Sequence, residues 1–169
     1  SYMAQAAKGL AFAHAKNIVH RDIKPANILV GDEGTVKILD MGLARLDDSN
    51  VANAEANLGL TQTGQVMGTV DDMAPEQASG RVSAIGPATD VYALGATLYE
   101  LLTGRPPFRT ANALETLLQV VEVEPASPRS LQPGVPRDLE TICLKCLQKA
   151  PQKRYSSAEA LAEDLQRFL

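Results

Sequence analysis

The run His20-Arg21-Asp22-Ile23-Lys24-Pro25-Ala26-Asn27 constrains this chain more than any other feature, because the residues after it force the backbone to double back. Two β-rich runs, Asn27-Ile28-Leu29-Val30 and Thr35-Val36-Lys37-Ile38-Leu39, flank the turn sequence Gly31-Asp32-Glu33-Gly34. The pattern predicts a small hairpin that returns Asp40 to the neighbourhood of Asn27. An isolated Asp or Lys in a polar loop is ordinarily a solvated surface group. Asp22, Lys24, Asn27 and Asp40, in that order on either side of a hairpin, are better explained as one constellation.

Around this centre the sequence reads as mainly helical. Met3, Ala6, Leu10 and Ala13 recur at helical spacing and predict a helix over residues 2–16, which starts one residue into the chain without a cap. That abrupt start reads as a cut inside a longer domain. Residues 43–72 are poor in bulky hydrophobes and rich in polar residues, the texture of a long surface loop. From Thr89 a wide apolar face of Val91, Leu94, Leu98, Leu101 and Leu102 predicts a helix buried on several sides. Thr89 or Asp90 would cap it, and Gly104 and Pro106-Pro107 would close it. Further helices are predicted from about Asn112 to Glu122, Asp138 to Gln148 and Ser157 to Leu169, with a Pro-rich connection from Pro125 to Pro136 between the first two. Ser156-Ser157-Ala158-Glu159 has the form of a capping box for the last helix.

Composition excludes several classes. With 45% hydrophobic and 21% charged residues over 169 positions, the chain can bury one substantial core. A net charge of -4 gives no basic field for nucleic acid or an anionic membrane. No apolar run approaches the roughly 18 residues of a membrane span. Cys143 and Cys146 form a lone C-x2-C inside an apolar helical pattern, with neither His14 nor His20 near in sequence, so they read as small buried hydrophobes rather than zinc ligands. Few cysteines and no signal-like N-terminus fit a reducing, cytoplasmic compartment, including the cytoplasmic side of a membrane-anchored protein.

The central run closely resembles the catalytic loop of protein kinases, and Asp40-Met41-Gly42 resembles their metal-binding Asp-Phe-Gly step. Met73-Ala74-Pro75-Glu76 resembles the Ala-Pro-Glu that closes the activation segment. Asp90-Val91-Tyr92-Ala93-Leu94-Gly95 looks like the start of the central buried helix, and Arg154 lies where the family places an arginine that pairs with the glutamate, here Glu76. The ordered motifs cover nearly the whole chain. The resemblance implies an α+β, mainly α fold: the C-terminal lobe of a protein kinase, residues 1–169, with a small β-hairpin carrying the catalytic site and an activation segment over residues 43–76. It further implies ATP-dependent phosphorylation of Ser or Thr on protein substrates. Lys24-Pro25-Ala26-Asn27 differs from the tyrosine-kinase loop, and the overall texture is most similar to bacterial membrane-associated Ser/Thr kinases.

Physical chemistry assigns the roles that the resemblance implies. Phosphoryl transfer asks for a positioned hydroxyl and for positive charge around the transferring group. Asp22 suits acceptance or orientation of the acceptor proton, and Lys24 suits the γ-phosphate. Asn27 and Asp40 offer oxygen ligands for Mg2+, or Mn2+ in its place. Leu29 reads as an apolar floor under the adenine, or as hairpin core. His20 is a structural spine residue by resemblance. Arg21, beside the catalytic Asp, resembles that of kinases switched by loop phosphorylation, with Thr63 and then Thr61 as the candidate acceptors. Thr69 matches a threonine that hydrogen-bonds toward Asp22 and Lys24.

Three departures qualify the resemblance. Met41 stands where Phe is usual. Val70 and Asp72 stand where Pro and an aromatic are usual, close to where a substrate peptide docks. No Gly-rich loop, strand lysine or partner glutamate occurs in these 169 residues, so the expected partner of this segment is a kinase N-lobe, and the segment alone is expected to be inactive. A non-catalytic pseudokinase or docking module is the alternative reading. A small-molecule phosphotransferase is a third, disfavoured by Met73 to Glu76.

Overall fold

In a computed structural model, residues 1–40 and 70–169 are described here. Met41, Gly42 and the threonines Thr61, Thr63 and Thr69 lie outside the described residues.

Helix α1 spans Tyr2–His14 and buries Met3, Ala4, Ala6, Ala7, Leu10 and Ala13. It is alanine-rich because it packs closely against two neighbours, α7 and α3, and small side chains let the backbones approach. The helix ends two residues before the predicted end: Asn17 takes a positive φ of 59°, which sends the chain into the loop at His20.

The predicted hairpin is present as strands β1 (Ile28–Val30) and β2 (Val36–Ile38), antiparallel in the register Ile28↔Ile38, Leu29↔Lys37, Val30↔Val36. The turn is closed by Gly31 N–H to Thr35 O at 2.9 Å and Gly34 N–H to Gly31 O at 2.8 Å. Gln5 on α1 reads both sides of it, donating Nε2 to Gly34 O (3.0 Å) and accepting Val36 N–H on Oε1 (3.1 Å). Two short strands are marginal alone. Ile28, Val36 and Ile38 therefore lean on the helical core.

Helix α2 is the short Pro75–Ala78, and α3 runs Pro87–Thr103 with an unbroken buried stretch from Thr89 to Tyr99. Neither Thr89 nor Asp90 is its N-cap. Gly86 is, with Pro87 in the first turn, and Thr89 Oγ1 reaches back to accept Gly86 N–H at 3.1 Å. Leu101, assigned to the apolar face by periodicity, is exposed, since the face narrows toward the C-terminus. Gly104 closes the helix at φ 77°, its N–H donating to Glu100 O at 2.8 Å.

Then follow α4 (Ala113–Glu122), α5 (Pro128–Leu131), α6 (Arg137–Cys146) and α7 (Ala158–Arg167). The single-turn α5 sits inside the Pro-rich connection, where Pro128 occupies the first helical position and starts the turn. Ser157, not Ser156, caps α7, accepting Ala160 N–H at 3.1 Å, so Glu159 is not placed to complete a capping box.

Gly95 in the middle of α3 faces Cys146 of α6. A Cβ added there would overlap the Cys146 Cβ, so the two helices meet at a contact only glycine allows. Both cysteines are fully buried and free. Burial pushes the Cys143 thiol up to about 12 and Cys146 well above its ordinary value, so both stay protonated and inert. None of the described helices is long and apolar enough to cross a membrane.

Candidate active site

The site is built from α3 outward. Asp90, in the first turn of α3 and almost wholly buried, aims both carboxylate oxygens at the loop that precedes the hairpin. Oδ2 accepts His20 N–H and Oδ1 accepts Arg21 N–H, each at 2.8 Å, while His14 Nε2 lies 2.7 Å from Oδ2. These bonds hold the bend at Arg21, whose φ of 68° is unusual for a residue with a Cβ. A strained residue persists when its surroundings over-determine it, and Asp90 supplies that constraint.

The bend buries the His20 ring under the loop. Its Nε2 is 2.8 Å from Leu39 O and its Nδ1 accepts Asp22 N–H at 3.3 Å. Only one neutral tautomer satisfies both: Nε2 carries the proton and donates, and Nδ1 accepts. The imidazole thus ties the residue before Asp40 to the backbone of Asp22. On the hairpin side, Leu39 N–H donates to Asn27 O at 2.8 Å, continuing the ladder one residue beyond β1 and β2. Asn27 and Asp40 are brought to the same end of the hairpin.

Asn27, buried in the one-turn 3-10 helix Pro25–Asn27, spends its Nδ2 on Asp22, donating to the backbone O at 2.8 Å and to Oδ2 at 3.2 Å. Its Oδ1 has no hydrogen-bond partner among the described residues. Lys24 Nζ is 3.0 Å from Asp22 Oδ2 and donates to Oδ1 at 3.3 Å. The Asp22 side chain is nevertheless 51% exposed. Asp40 is exposed at φ 60°, a second unusual backbone held beside the first. Asp22, Lys24 and Asn27 are thus joined to one another, the two charged groups more open than the buried amide, and Asp40 follows Leu39 at the same end of the hairpin.

This donor set fits a hard divalent cation: Asn27 Oδ1 and the Asp40 carboxylate are oxygen ligands without competing protein partners among the described residues. Two protein ligands plus phosphate oxygens is the usual demand of Mg2+. Leu29 is not hairpin core. It is half exposed opposite Lys37, beside Val30, which is exposed to a similar extent.

The segment after residue 69 is docked beside this loop. Gln77 donates Nε2 to Arg21 O at 2.9 Å while its Oε1 accepts Ala74 N–H at 3.1 Å. Below it, Glu76 and Arg154 form a dry bidentate pair, Nη1 to Oε1 and Nη2 to Oε2, both 2.8 Å, with both side chains fully buried. The other Arg154 protons go to Ala88 O, Lys149 O and Gln148 O, so all five N–H groups of the guanidinium are used. Glu76 Oε1 also accepts the Thr89 hydroxyl at 2.9 Å. Burial alone would raise the Glu76 carboxyl, but the hydrogen bond and charge of Arg154 outweigh it and hold the group ionised.

Sequence reasoning missed Gln5, Gln77, Thr89 and His14 as positioning residues. Gln5, Gln77 and His14 lie far along the chain from the groups they position, and no local pattern marks them, while Thr89, marked by sequence only as a cap, also supports Glu76.

The description "Protein kinase domain" matches residues 1–165, and the chain belongs to that family. The serine/threonine-protein kinase PknB of Mycobacterium tuberculosis is 39% identical over 165 residues, 98% of this chain and 25% of its own length. The probable serine/threonine-protein kinase PknB of Bifidobacterium longum is 37% identical over 160 residues, 95% and 22% respectively. The tyrosine-protein kinase MasK of Myxococcus xanthus is 42% identical over 172 residues, 97% and 25%. The chain spans about a quarter of the length of these relatives.

Proposed function

We propose that this chain carries the phosphoryl-transfer centre of an ATP-dependent protein serine/threonine kinase. The observation that supports it most is Asp22, whose exposed carboxylate is fixed by Asn27 and Lys24 while its backbone N–H is tied through the His20 ring to Leu39, the residue before Asp40. A binding module of the same fold has no need of all four side chains.

In this reading Asp22 accepts or orients the hydroxyl proton of the acceptor. The hydroxyl oxygen bonds to the γ-phosphorus, the bond from that phosphorus to the β–γ bridging oxygen breaks, and ADP leaves. Lys24 turns from Asp22 to the γ-phosphate as a point charge. Asn27 Oδ1 and Asp40 would hold Mg2+, which when bound neutralises developing phosphate charge. Leu29, with Val30, offers an apolar surface to the base. The expected partner of these 169 residues is a kinase N-lobe, and alone they are proposed to bind Mg-ATP weakly. We also place a switch at Arg21, which makes no ion pair among the described residues and would receive phosphate on Thr63 or Thr61.

The test is transfer of labelled phosphate from ATP by the full-length protein, followed by phosphoamino-acid analysis. Phosphoserine and phosphothreonine support the reading. Phosphotyrosine alone would move the acceptor class to that named for the Myxococcus relative, and no transfer with or without Mg2+ or Mn2+ would overturn it.

A further inference from the structure

The peptide group that joins Arg21 to Asp22 is held at both of its polar atoms. Its N–H, on Asp22, donates to His20 Nδ1 at 3.3 Å, and its oxygen, on Arg21, accepts Gln77 Nε2 at 2.9 Å. The bond to His20 is the longer, and it lies within the catalytic loop, so it moves with that loop. Among the described residues, Gln77 alone reaches this peptide group from outside the loop. The peptide group on the other side of Arg21 is fixed by α3, since Arg21 N–H donates to Asp90 Oδ1 at 2.8 Å. Arg21 sits between them at φ 68°, a conformation that a residue with a Cβ keeps only when its surroundings over-determine it. With Asp90 holding the plane before Arg21 and Gln77 the plane after it, the rotations at Arg21 are bounded at both ends. Those rotations decide where Asp22 carries its carboxylate.

Gln77 is itself firmly based. Its Oε1 accepts Ala74 N–H at 3.1 Å, closing the first turn of α2, and the preceding residue is Glu76, whose buried pair with Arg154 anchors that turn. The two ends of one carboxamide therefore do different things: the oxygen caps α2, and the nitrogen pins the peptide before Asp22. A cap needs only an acceptor, and glutamate serves that position as well as glutamine. The donor toward Arg21 O is what glutamine adds.

We propose that Gln77 is a positioning residue of the transfer reaction: it fixes the peptide plane between Arg21 and Asp22, so that the seating of α2 sets the aim of the Asp22 carboxylate at the acceptor hydroxyl. The inference rests on the kinase reading above. Gln77 acts through Asp22 and holds no nucleotide, so its loss shows in the rate of transfer and not in the binding of ATP.

The experiment uses the full-length kinase with a generic protein acceptor at saturation, and the variants Gln77→Glu and Gln77→Leu. Gln77→Glu keeps the acceptor that caps α2 and loses the donor to Arg21 O. Its thermal unfolding midpoint is expected to stay near that of the unmodified protein, while kcat at about pH 8 falls on the order of tenfold or more with KM for ATP unchanged. As the pH is lowered toward about 5, the introduced carboxyl gains a proton that it can donate to Arg21 O, and the ratio of unmodified to variant kcat should shrink. The titratable groups nearby, His20, Asp22, Lys24 and Glu76, are common to both proteins and cancel in that ratio. Gln77→Leu lacks both bonds, so it should lose kcat without this recovery and unfold at a lower temperature. Unchanged kcat in Gln77→Glu, or a loss with no recovery at low pH, overturns this inference and leaves the kinase reading standing. No transfer from ATP to any protein acceptor by the unmodified protein overturns both.

Discussion

Two charged centres in this molecule use the same chemistry to opposite ends. At Glu76 and Arg154 a carboxylate meets a guanidinium with every proton of the cation assigned and no water reaching either side chain. At Asp22 and Lys24 a carboxylate meets an ammonium in the open, with half of the Asp22 side chain exposed and ligand positions left over. The saturated pair can only hold α2 to the start of α3 and the turn before Tyr155. The unsaturated one can exchange partners, which is what a reacting centre requires. Both depend on the first turn of α3: Thr89 supports Glu76 and Asp90 supports the loop at His20 and Arg21. One helix terminus therefore serves anchorage on one side and chemistry on the other.

The largest expected effect comes from breaking the saturated pair. Arg154→Met leaves Glu76 buried without its partner, and such losses cost about 3 to 5 kcal/mol. Denaturant unfolding of the full-length protein's kinase domain should show it. The double variant Glu76→Leu with Arg154→Met should recover much of the loss, because no uncompensated charge remains. If the single and double variants were equally destabilised, the pair would not be the anchor described.

The unsaturated centre should respond in rate and hardly in stability. Asp22→Asn is expected to lower kcat by at least roughly 100-fold with nucleotide affinity nearly unchanged. Asp40→Asn should instead weaken metal-dependent nucleotide binding. Identical nucleotide binding in the two variants would remove the division of roles between them.

Packing without charge sits between these extremes. Gly95→Ala drives a methyl into Cys146 and should cost about 1 to 3 kcal/mol as α3 and α6 separate, with little change in the metal dependence of activity. A neutral result in thermal unfolding would mean that the helices are not as closely set as Gly95 implies.

A pH dependence completes the comparison. The folded state holds the Asp72 proton more tightly than the unfolded chain, so the stabilising contribution of the protonated acid is full below its ordinary carboxylate range near 3.8. It is lost as pH rises toward about 7. Asp72→Asn lacks this titration, so its stability advantage over the unmodified protein should grow between pH 4 and 7 and then level off. Stability curves that stay parallel over that window would show that Asp72 is paired in solution.

Much of this was legible in order along the chain. The apolar spacing of Met3, Ala6, Leu10 and Ala13 marked α1, and Gly31 to Gly34 between β-rich runs marked the hairpin, because helix and strand periodicities and turn chemistry are local. The constellation of Asp22, Lys24, Asn27 and Asp40 was legible for a related reason: a hairpin is the shortest device that returns a chain to itself, so their closeness is nearly written in the spacing. Cap positions were less legible. Thr89 and Asp90 both have the chemistry of an N-cap, and local sequence cannot tell that one is needed by Glu76 and the other by the backbone at His20 and Arg21, roughly seventy residues upstream for Asp90.

Sequence by itself determined the main helical and hairpin elements, the protein kinase family and which side chains are candidates for the reaction. Tertiary structure alone decided which polar residues are satisfied and which are left wanting. Arg154 and Lys24 are both cations in polar surroundings when read as sequence, and Asp71 and Asp72 are adjacent and chemically identical. Desolvation separates them: it depends on how many other elements cover each side chain, and that sum over distant contacts is fixed only when α2, α3 and the loops close on one another.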